Sequence, residues 1–317
     1  IKARTGNSAP GSQNHYLVDS VRGANGTVTK KLYSNATTAE NDGQNDLNNG
    51  VKIISNGIEL TTSNDGTNSN NNYVAWCWKA GGAAVTNNLG SMTSQVSANK
   101  DAGFSIVTYN GSNDSIATFG HGLDSAPEIV IIRRRNNANG WRVYHHSVGL
   151  GAYLSLSNNA AQNTSAQDFA SVSATTFGVK GGYGPVSING GTYVAYCWHS
   201  VPGYSKVGSY NGNGSTNGKF VYTGFRPAFV LLKRSTDSTN NWEIRDNKRD
   251  PNNPANSRLF PNTSDVQSVG EGIDFLNNGF KLRNSGTGSN TDDKTYVYMA
   301  FAEQPSPNQY GAQPNAR

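Results

Sequence analysis

The sequence predicts an all-β fold, built as tandem antiparallel β-sandwich repeats of jelly-roll or lectin-like type. Three observations carry that reading. Only 15% of the 317 residues are charged, Gly alone accounts for 36, and Asn, Ser and Thr fill much of the rest. Such side chains compete for backbone hydrogen bonds and favour turns over helices. Aromatic residues make up 10%, more than a disordered chain carries, and they sit in short β-branched runs bounded by Gly and Asn. Finally, those runs recur in the same order, the signature of an internal repeat.

The clearest repeated block is Tyr73-Val74-Ala75-Trp76-Cys77-Trp78. It returns as Tyr193-Val194-Ala195-Tyr196-Cys197-Trp198 and as Tyr296-Val297-Tyr298-Met299-Ala300-Phe301. It is apolar on both faces, which predicts a central, buried strand. Ala126-Pro127 to Arg134 matches Arg226-Pro227 to Arg234, and Ile1-Lys2-Ala3-Arg4 keeps only the end of that block. Trp141-Arg142-Val143-Tyr144 matches Trp242-Glu243-Ile244-Arg245 and, more loosely, His15-Tyr16-Leu17-Val18. Leu154 to Asn158 aligns with Arg258 to Asn262 and Lys31 to Asn35, and Thr108-Tyr109-Asn110-Gly111 with Ser209-Tyr210-Asn211-Gly212.

These blocks divide the chain into a first repeat at residues 1–79, lacking its N-terminal strands, and complete repeats at 101–200 and 201–304. Residues 80–100 are rich in Gly, Ala, Ser, Thr and Asn and read as a linker or crossing arm. Residues 305–317 read as an extended polar tail. The chain opens in mid-strand at Ile1, so it reads as the C-terminal part of a longer polypeptide or as a processed product. Asn110-Gly111 predicts a hairpin turn after Phe104 to Tyr109, and Asn56-Gly57 and Asn278-Gly279 predict further turns. A short helical turn is expected around Ala160 to Phe169.

Charge and cysteine usage narrow the function classes. The net charge is +5, modest for this length, and Arg133-Arg134-Arg135 reads as a solvated strand end. Nothing resembling a nucleic-acid motif accompanies it, so no nucleic-acid partner is expected. No stretch approaches the length of a membrane helix, so no insertion is expected. Cys77 and Cys197 occupy equivalent strand positions and read as inert core thiols, neither disulfide-bonded nor metal-bound.

Catalytic patterns are absent: no Gly-x-Ser-x-Gly, phosphate loop or dinucleotide fingerprint occurs. His145-His146 lacks further zinc ligands and reads as a polar loop, and no metal or cofactor is expected. Glu243, Asp246, Asp250, Glu271 and Asp274 are carboxylates that a glycosidase could pair, but the expectation is solvated loops. Asp65 and Asp292-Asp293 read as turn residues without an ordered calcium spacing. Trp141, Tyr183, Tyr204 and Trp242 lie near polar loops and are the candidate surface or glycan contacts. Trp141 and Trp242 recur at one position, which favours packing. Tyr183, within Gly181-Gly182-Tyr183-Gly184-Pro185, is not repeated in the third copy and is the stronger contact candidate.

The blocks Tyr193 to Trp198, Tyr210-Asn211-Gly212-Asn213-Gly214-Ser215-Thr216 and Phe220-Val221-Tyr222-Thr223-Gly224-Phe225-Arg226-Pro227 resemble a repeated domain of tailed-phage virion proteins, abundant in phages of marine bacteria. The ending Tyr298-Met299-Ala300-Phe301-Ala302-Glu303 is similar to the C-terminus of the same family. The resemblance implies a virion structural protein at the particle surface, of tail-fibre or adhesin type. A capsid decoration protein and a glycan-binding or glycan-degrading depolymerase are the alternatives. It implies other virion proteins as partners, a homo-oligomer (a trimer, as is usual for fibres) and a host-surface glycan as ligand. It carries no catalytic residues, and an enzyme is not expected.

Overall fold

The computed structural model describes residues 1–5, 13–22, 30–40, 51–54, 57–60, 67–69, 71–164, 168–237 and 239–303. Asp65 and the 305–317 tail lie outside the described residues. Every regular element among them is a strand, so the protein is an all-β protein of sandwich type. Among the described residues around Ala160 to Phe169, which are 160–164, 168 and 169, none is helical, and a strand starts at Phe169.

We call residues 1–79, 80–200 and 201–303 the first, second and third modules. The first contains β1 (Lys2–Ala3), β2 (Tyr16–Leu17), β3 (Leu32–Tyr33), β4 (Val51–Ile54), β5 (Gly57–Leu60) and β6 (Tyr73–Val74). The second contains β7 (Val85–Asn87), β8 (Ser94–Asn99), β9 (Phe104–Asn110), β10 (Ile116–Gly120), β11 (Ile129–Arg134), β12 (Arg142–His145), β13 (Phe169–Val172), β14 (Thr176–Lys180) and β15 (Thr192–Trp198). The third contains β16 (Ser205–Asn211), β17 (Phe220–Tyr222), β18 (Pro227–Arg234), β19 (Glu243–Asp246), β20 (Ala255–Arg258), β21 (Ser268–Leu276), β22 (Gly279–Leu282) and β23 (Thr295–Ala302).

The second and third modules are each two antiparallel sheets. In the second, the order β12-β11-β15-β9-β8-β7 faces β10-β14-β13. In the third, β16-β23-β18-β19 faces β17-β22-β21-β20. The repeated apolar blocks are the central strands β15 and β23, because both their faces are covered. One face, with Tyr193, Ala195 and Cys197, packs inside the second sandwich, and Tyr296, Tyr298 and Ala300 pack inside the third. The other face, with Val194, Tyr196, Trp198, Val297, Met299 and Phe301, enters a core shared by all three modules. Leu32 joins that core from the first module, with Val74, Trp76 and Trp78 packed on its rim. Fully burying an apolar side chain stabilises by about 1.5–3 kcal/mol, so this shared core holds the modules to one another.

Several expectations are corrected. Residues 80–100 are not simply a linker: β7 and β8 lie there, and β8 pairs with β9 from Ser94↔Tyr109 to Asn99↔Phe104. The signal was weak because its buried positions include Ser94 and Ser97. Asn110-Gly111 ends β9 but makes no hairpin, since β10 belongs to the other sheet. Glycine is needed there for close approach: a Cβ on Gly111 would meet the Ile188 nitrogen at 2.6 Å, and one on Gly212 the Thr291 oxygen at 2.2 Å. Val143 pairs with Leu154, Ile244 with Leu259 and Leu17 with Leu32. The second copy of that block is thus displaced by one residue from the sequence alignment.

The modules close a cycle. The Gln162 N–H donates to the Ser235 carbonyl at 2.8 Å, joining the second module to the third. At the equivalent places Gln267 donates to Arg4 at 2.9 Å (third to first), and Glu40 to Arg135 at 2.7 Å (first to second). Each donor lies eight residues after the paired leucine of its module, at Leu154, Leu259 and Leu32. One chain therefore arranges three related modules as a closed threefold ring of contacts.

Candidate functional site

The expected surface tryptophans lie at these junctions instead of in an open site. Trp141 and Trp242 are both buried. Trp141 Nε1 donates to the Tyr33 carbonyl at 2.9 Å, and Trp242 Nε1 to the Ser155 carbonyl at 2.8 Å. In the first module the same position is His15, whose imidazole interacts with the Phe260 carbonyl of the third, although its Nε2 is outside hydrogen-bond geometry. Neither tryptophan is available to a glycan, because a large ring at a module boundary is worth more as packing. Tyr204 is half-buried against Phe301, edge-on at 5.8 Å, and also belongs to the packing.

Buried cations repeat around the same cycle. Lys2, Arg133 and Lys233 hold equivalent strand positions and are all fully buried. Arg133 donates to the Thr38 carbonyl of the first module. Lys233 donates to Asn159 of the second at 3.2 Å, and Lys2 to Ser264 of the third at 2.7 Å. Burial pulls both lysine ammoniums down to about 8, and the Arg133 guanidinium to about 10. The basic run is accordingly not a solvated strand end. Arg133 lies over the Trp141 ring at 5.7 Å, and Arg135 pairs with Glu40 at 2.9 Å.

A second ring of polar contacts uses the strand that follows Trp141 or its equivalents. Asp19 accepts from the backbone of Arg22 and pairs with its guanidinium, and Asp246 does the same with Arg249. Tyr196 of the second module donates to Asp19 at 2.7 Å, and Trp76 of the first to Asp246 at 3.2 Å. Burial raises the Asp19 carboxyl, but Arg22 and the Tyr196 hydroxyl outweigh it and hold the carboxyl below its usual range. The third equivalent is His145, facing the Tyr298 carbonyl at 3.5 Å. Burial, helped by the neighbouring His146, depresses His145 to about 3, so the ring stays neutral.

The carboxylates of the third module are also occupied. Glu243 pairs with Arg245 at 2.8 Å and with Arg258 at 3.3 Å. Glu271 meets the same Arg258 nitrogen at 3.4 Å. Asp250 accepts from the Ser257 hydroxyl at 2.9 Å, and Asp274 pairs with Arg283 at 2.5 Å. Among the described residues, no three His, Cys, Asp or Glu side chains gather as a metal site.

One polar cleft, on the second module, has a volume of about 540 Å³ and is lined by Arg142, Tyr153, Ser155, Asn158, Gln162 and Asn163. β12 carries Arg142 to its wall. Arg142 Nε pairs with Asp168 at 2.6 Å, and its guanidinium lies 4.4 Å from the Tyr153 ring centre. Burial raises the Asp168 carboxyl above its usual range, against the opposing pull of Arg142. Its second oxygen is buried without a partner. Burial lowers the proton affinity of Arg142, but the Tyr183 hydroxyl, Tyr153 and Asp168 together raise it above the ordinary value. Tyr183 is half-buried and is thereby brought to Arg142, with Lys180 at 5.9 Å from its ring. The cleft offers amide, hydroxyl and guanidinium groups beside the Tyr153 ring. Sequence reasoning singled out Tyr183, which neighbours Arg142 but is not among the residues that line the cleft, and did not single out Arg142, Tyr153 or Asp168. Only the charge of Arg142 in an otherwise apolar repeat block marked the place.

Cys197 is buried, and burial pushes its thiol well above the ordinary value. Cys77 is exposed, contrary to the expected core thiol; among the described residues β6, which leads to it, pairs with β1 alone.

These features define a class of protein: an all-β, three-module assembly whose repeated aromatic positions serve as internal junctions. The chain belongs to the family described as a domain of unknown function, DUF7483, whose profile matches residues 1–305. No curated protein and no solved structure matches the chain.

Proposed function

We propose that this chain is a structural protein of a phage virion, of tail-fibre or adhesin type, that presents β-sandwich modules at the particle surface. The carrying observation is the closed threefold ring of buried contacts, seen in Trp141–Tyr33, Trp242–Ser155 and the Gln162, Gln267 and Glu40 backbone bonds. A ring locked in this way keeps surface loops at fixed spacing, which suits multivalent attachment. The threefold element expected of a fibre is, in this reading, supplied within one chain, and other virion proteins are its partners. The ligand is a host-surface glycan held in the cleft lined by Arg142, Tyr153 and Asn158. In this reading the protein binds its ligand, and two of the carboxylates that a glycosidase could pair, Glu243 and Glu271, share Arg258 in the third module.

Gold-labelled antibody against the chain, applied to intact particles, tests the reading. Label at projecting tail structures supports it. Label spread over the shell moves the assignment to capsid decoration, and particles without label overturn a virion role.

A further inference from the structure

The cleft on the second module has a counterpart in the third, and the two differ in charge. Arg142 follows Trp141 as Glu243 follows Trp242, and Tyr153 precedes the paired Leu154 as Arg258 precedes Leu259. A further wall is matched through hydrogen bonds. Tyr109 and Tyr193 donate to the carbonyls of Val186 and Gly184 at 2.8 and 2.7 Å. Tyr210 and Tyr296 donate to those of Ser289 and Thr287 at 2.7 and 2.9 Å. Tyr183 therefore stands where the third module has Gly286.

In the third module that place is filled from within. Arg258 is met by Glu243 at 3.3 Å and by Glu271 at 3.4 Å. The turn through Gly286 and Gly288 closes on both carboxylates. A Cβ on Gly286 would meet Glu271 Cδ at 2.3 Å, and one on Gly288 would meet Glu243 Oε1 at 2.2 Å.

The arginine of the second module has less of its charge answered. Arg142 donates from Nε to one Asp168 oxygen at 2.6 Å, and the other Asp168 oxygen makes no hydrogen bond. The pair is thus single, not forked, and among the described residues neither terminal nitrogen of Arg142 donates to a carboxylate. The Tyr153 ring supports the guanidinium at 4.4 Å, and the Tyr183 hydroxyl lies against it. Lys180 adds a second cation, 5.9 Å from the Tyr183 ring and close enough to act on Asp168. Among the described residues that line the cleft, Arg142 is the one charged side chain.

A guanidinium held at Nε and against a ring keeps its outer fork for a ligand. That fork matches a carboxylate through two parallel hydrogen bonds. We propose that the cleft takes an acidic sugar, a hexose bearing a carboxylate as in a uronic acid, whose carboxylate pairs with the two terminal nitrogens of Arg142. The ligand supplies to Arg142 what Glu271 supplies to Arg258. The Ser155 hydroxyl and the Asn158 and Gln162 amides of the lining take the sugar hydroxyls. The third module, its counterpart already filled, offers no second site of this kind. The inference rests on the reading of the cleft as a glycan site and narrows its ligand.

Oligosaccharides cut from uronate-bearing bacterial surface polysaccharides serve as probes, each beside a twin whose carboxyls are reduced to alcohols. They are titrated calorimetrically into the full chain. The expected result is binding of the acidic member at least about tenfold tighter, as a charge-assisted hydrogen-bonded pair supplies, and weakening with added salt. Arg142→Gln should bring the acidic probe down to the level of its neutral twin. Arg142→Lys, which keeps the charge without the fork, should recover only part of the difference. The comparison of twins uses the unaltered chain, so it decides the matter even where a variant unfolds. Equal binding of the twins overturns the acidic ligand and leaves the glycan reading standing. No binding of any probe overturns both. An acidic preference that survives Arg142→Gln in a chain with an unchanged melt overturns the role given to Arg142.

Discussion

Trp242 of the third module donates its indole hydrogen to the Ser155 carbonyl of the second, 2.8 Å away and out of contact with water. Trp141 does the same to Tyr33. Leaving a buried carbonyl unpaired costs about 1–3 kcal/mol, while removing a large buried ring costs about 3–5 kcal/mol. Trp242→Phe should therefore lose the smaller amount and Trp242→Ala the larger, in urea denaturation monitored by circular dichroism. Trp141→Phe should match Trp242→Phe, because the two bonds are equivalent.

The Asp19–Arg22 pair is buried and is completed by Tyr196 from another module. Removing one member of a buried pair costs about 3–5 kcal/mol, because the other charge is stranded. Asp19→Ala should fall in that range. Tyr196→Phe and Asp19→Asn should be coupled, by about 0.5–3 kcal/mol in a double-mutant cycle. A coupling of zero would mean that the module boundary does not transmit through this contact.

His145 gives the acid response a defined sign. Its unfolded-state value is about 6.5, whereas burial holds the folded ring at about 3. Between these values the unfolded chain binds the extra proton, so stability falls as pH drops from about 6.5 towards 3. His15 and His121 are depressed in the same direction, burial being the first cause of each. Thermal melts across that window should show the loss, and His145→Gln should shallow the slope.

Lys2 and Lys233 act in the alkaline range. Their folded values are about 8 because burial disfavours the ammonium, against about 10.4 in the unfolded chain. The unfolded state holds more protons between the two, so their contribution to stability rises with pH through that window. Lys233→Met should flatten the rise in melting temperature between about pH 8 and 10.

The cleft on the second module predicts a binding phenotype separable from stability. Arg142→Gln removes the charge that orders Asp168 and the cation over Tyr153. Binding on a bacterial-surface glycan panel should weaken at least tenfold, while the calorimetric melt remains a single transition.

Much of the fold was legible because its strands carry repeated, doubly covered apolar blocks, Tyr193 to Trp198 above all. The ring was not legible. Its bonds join residues far apart in sequence, such as Trp242 to Ser155, and adjacency in the chain says nothing about closure of the third module onto the first. β8 escaped because it buries serines where a strand usually buries aliphatics. The one-residue displacement at Leu154 escaped because Asn158 and Asn262 align more visibly than the leucines that actually pair. None of the residues lining the cleft stood out in the sequence, although Tyr183, which neighbours Arg142, did so through its glycines. Arg142 and Asp168 meet only after β12 and the approach to β13 are placed side by side.

Cryo-electron microscopy of the intact particle tests the central claim most directly. The account predicts density for a single chain at each projecting tail site, its three modules closed into a ring around a threefold axis, with the Arg142 cleft facing outward. Density in which the three modules are strung out without contact between the third and the first, or in which the chain is missing from the particle, would contradict it.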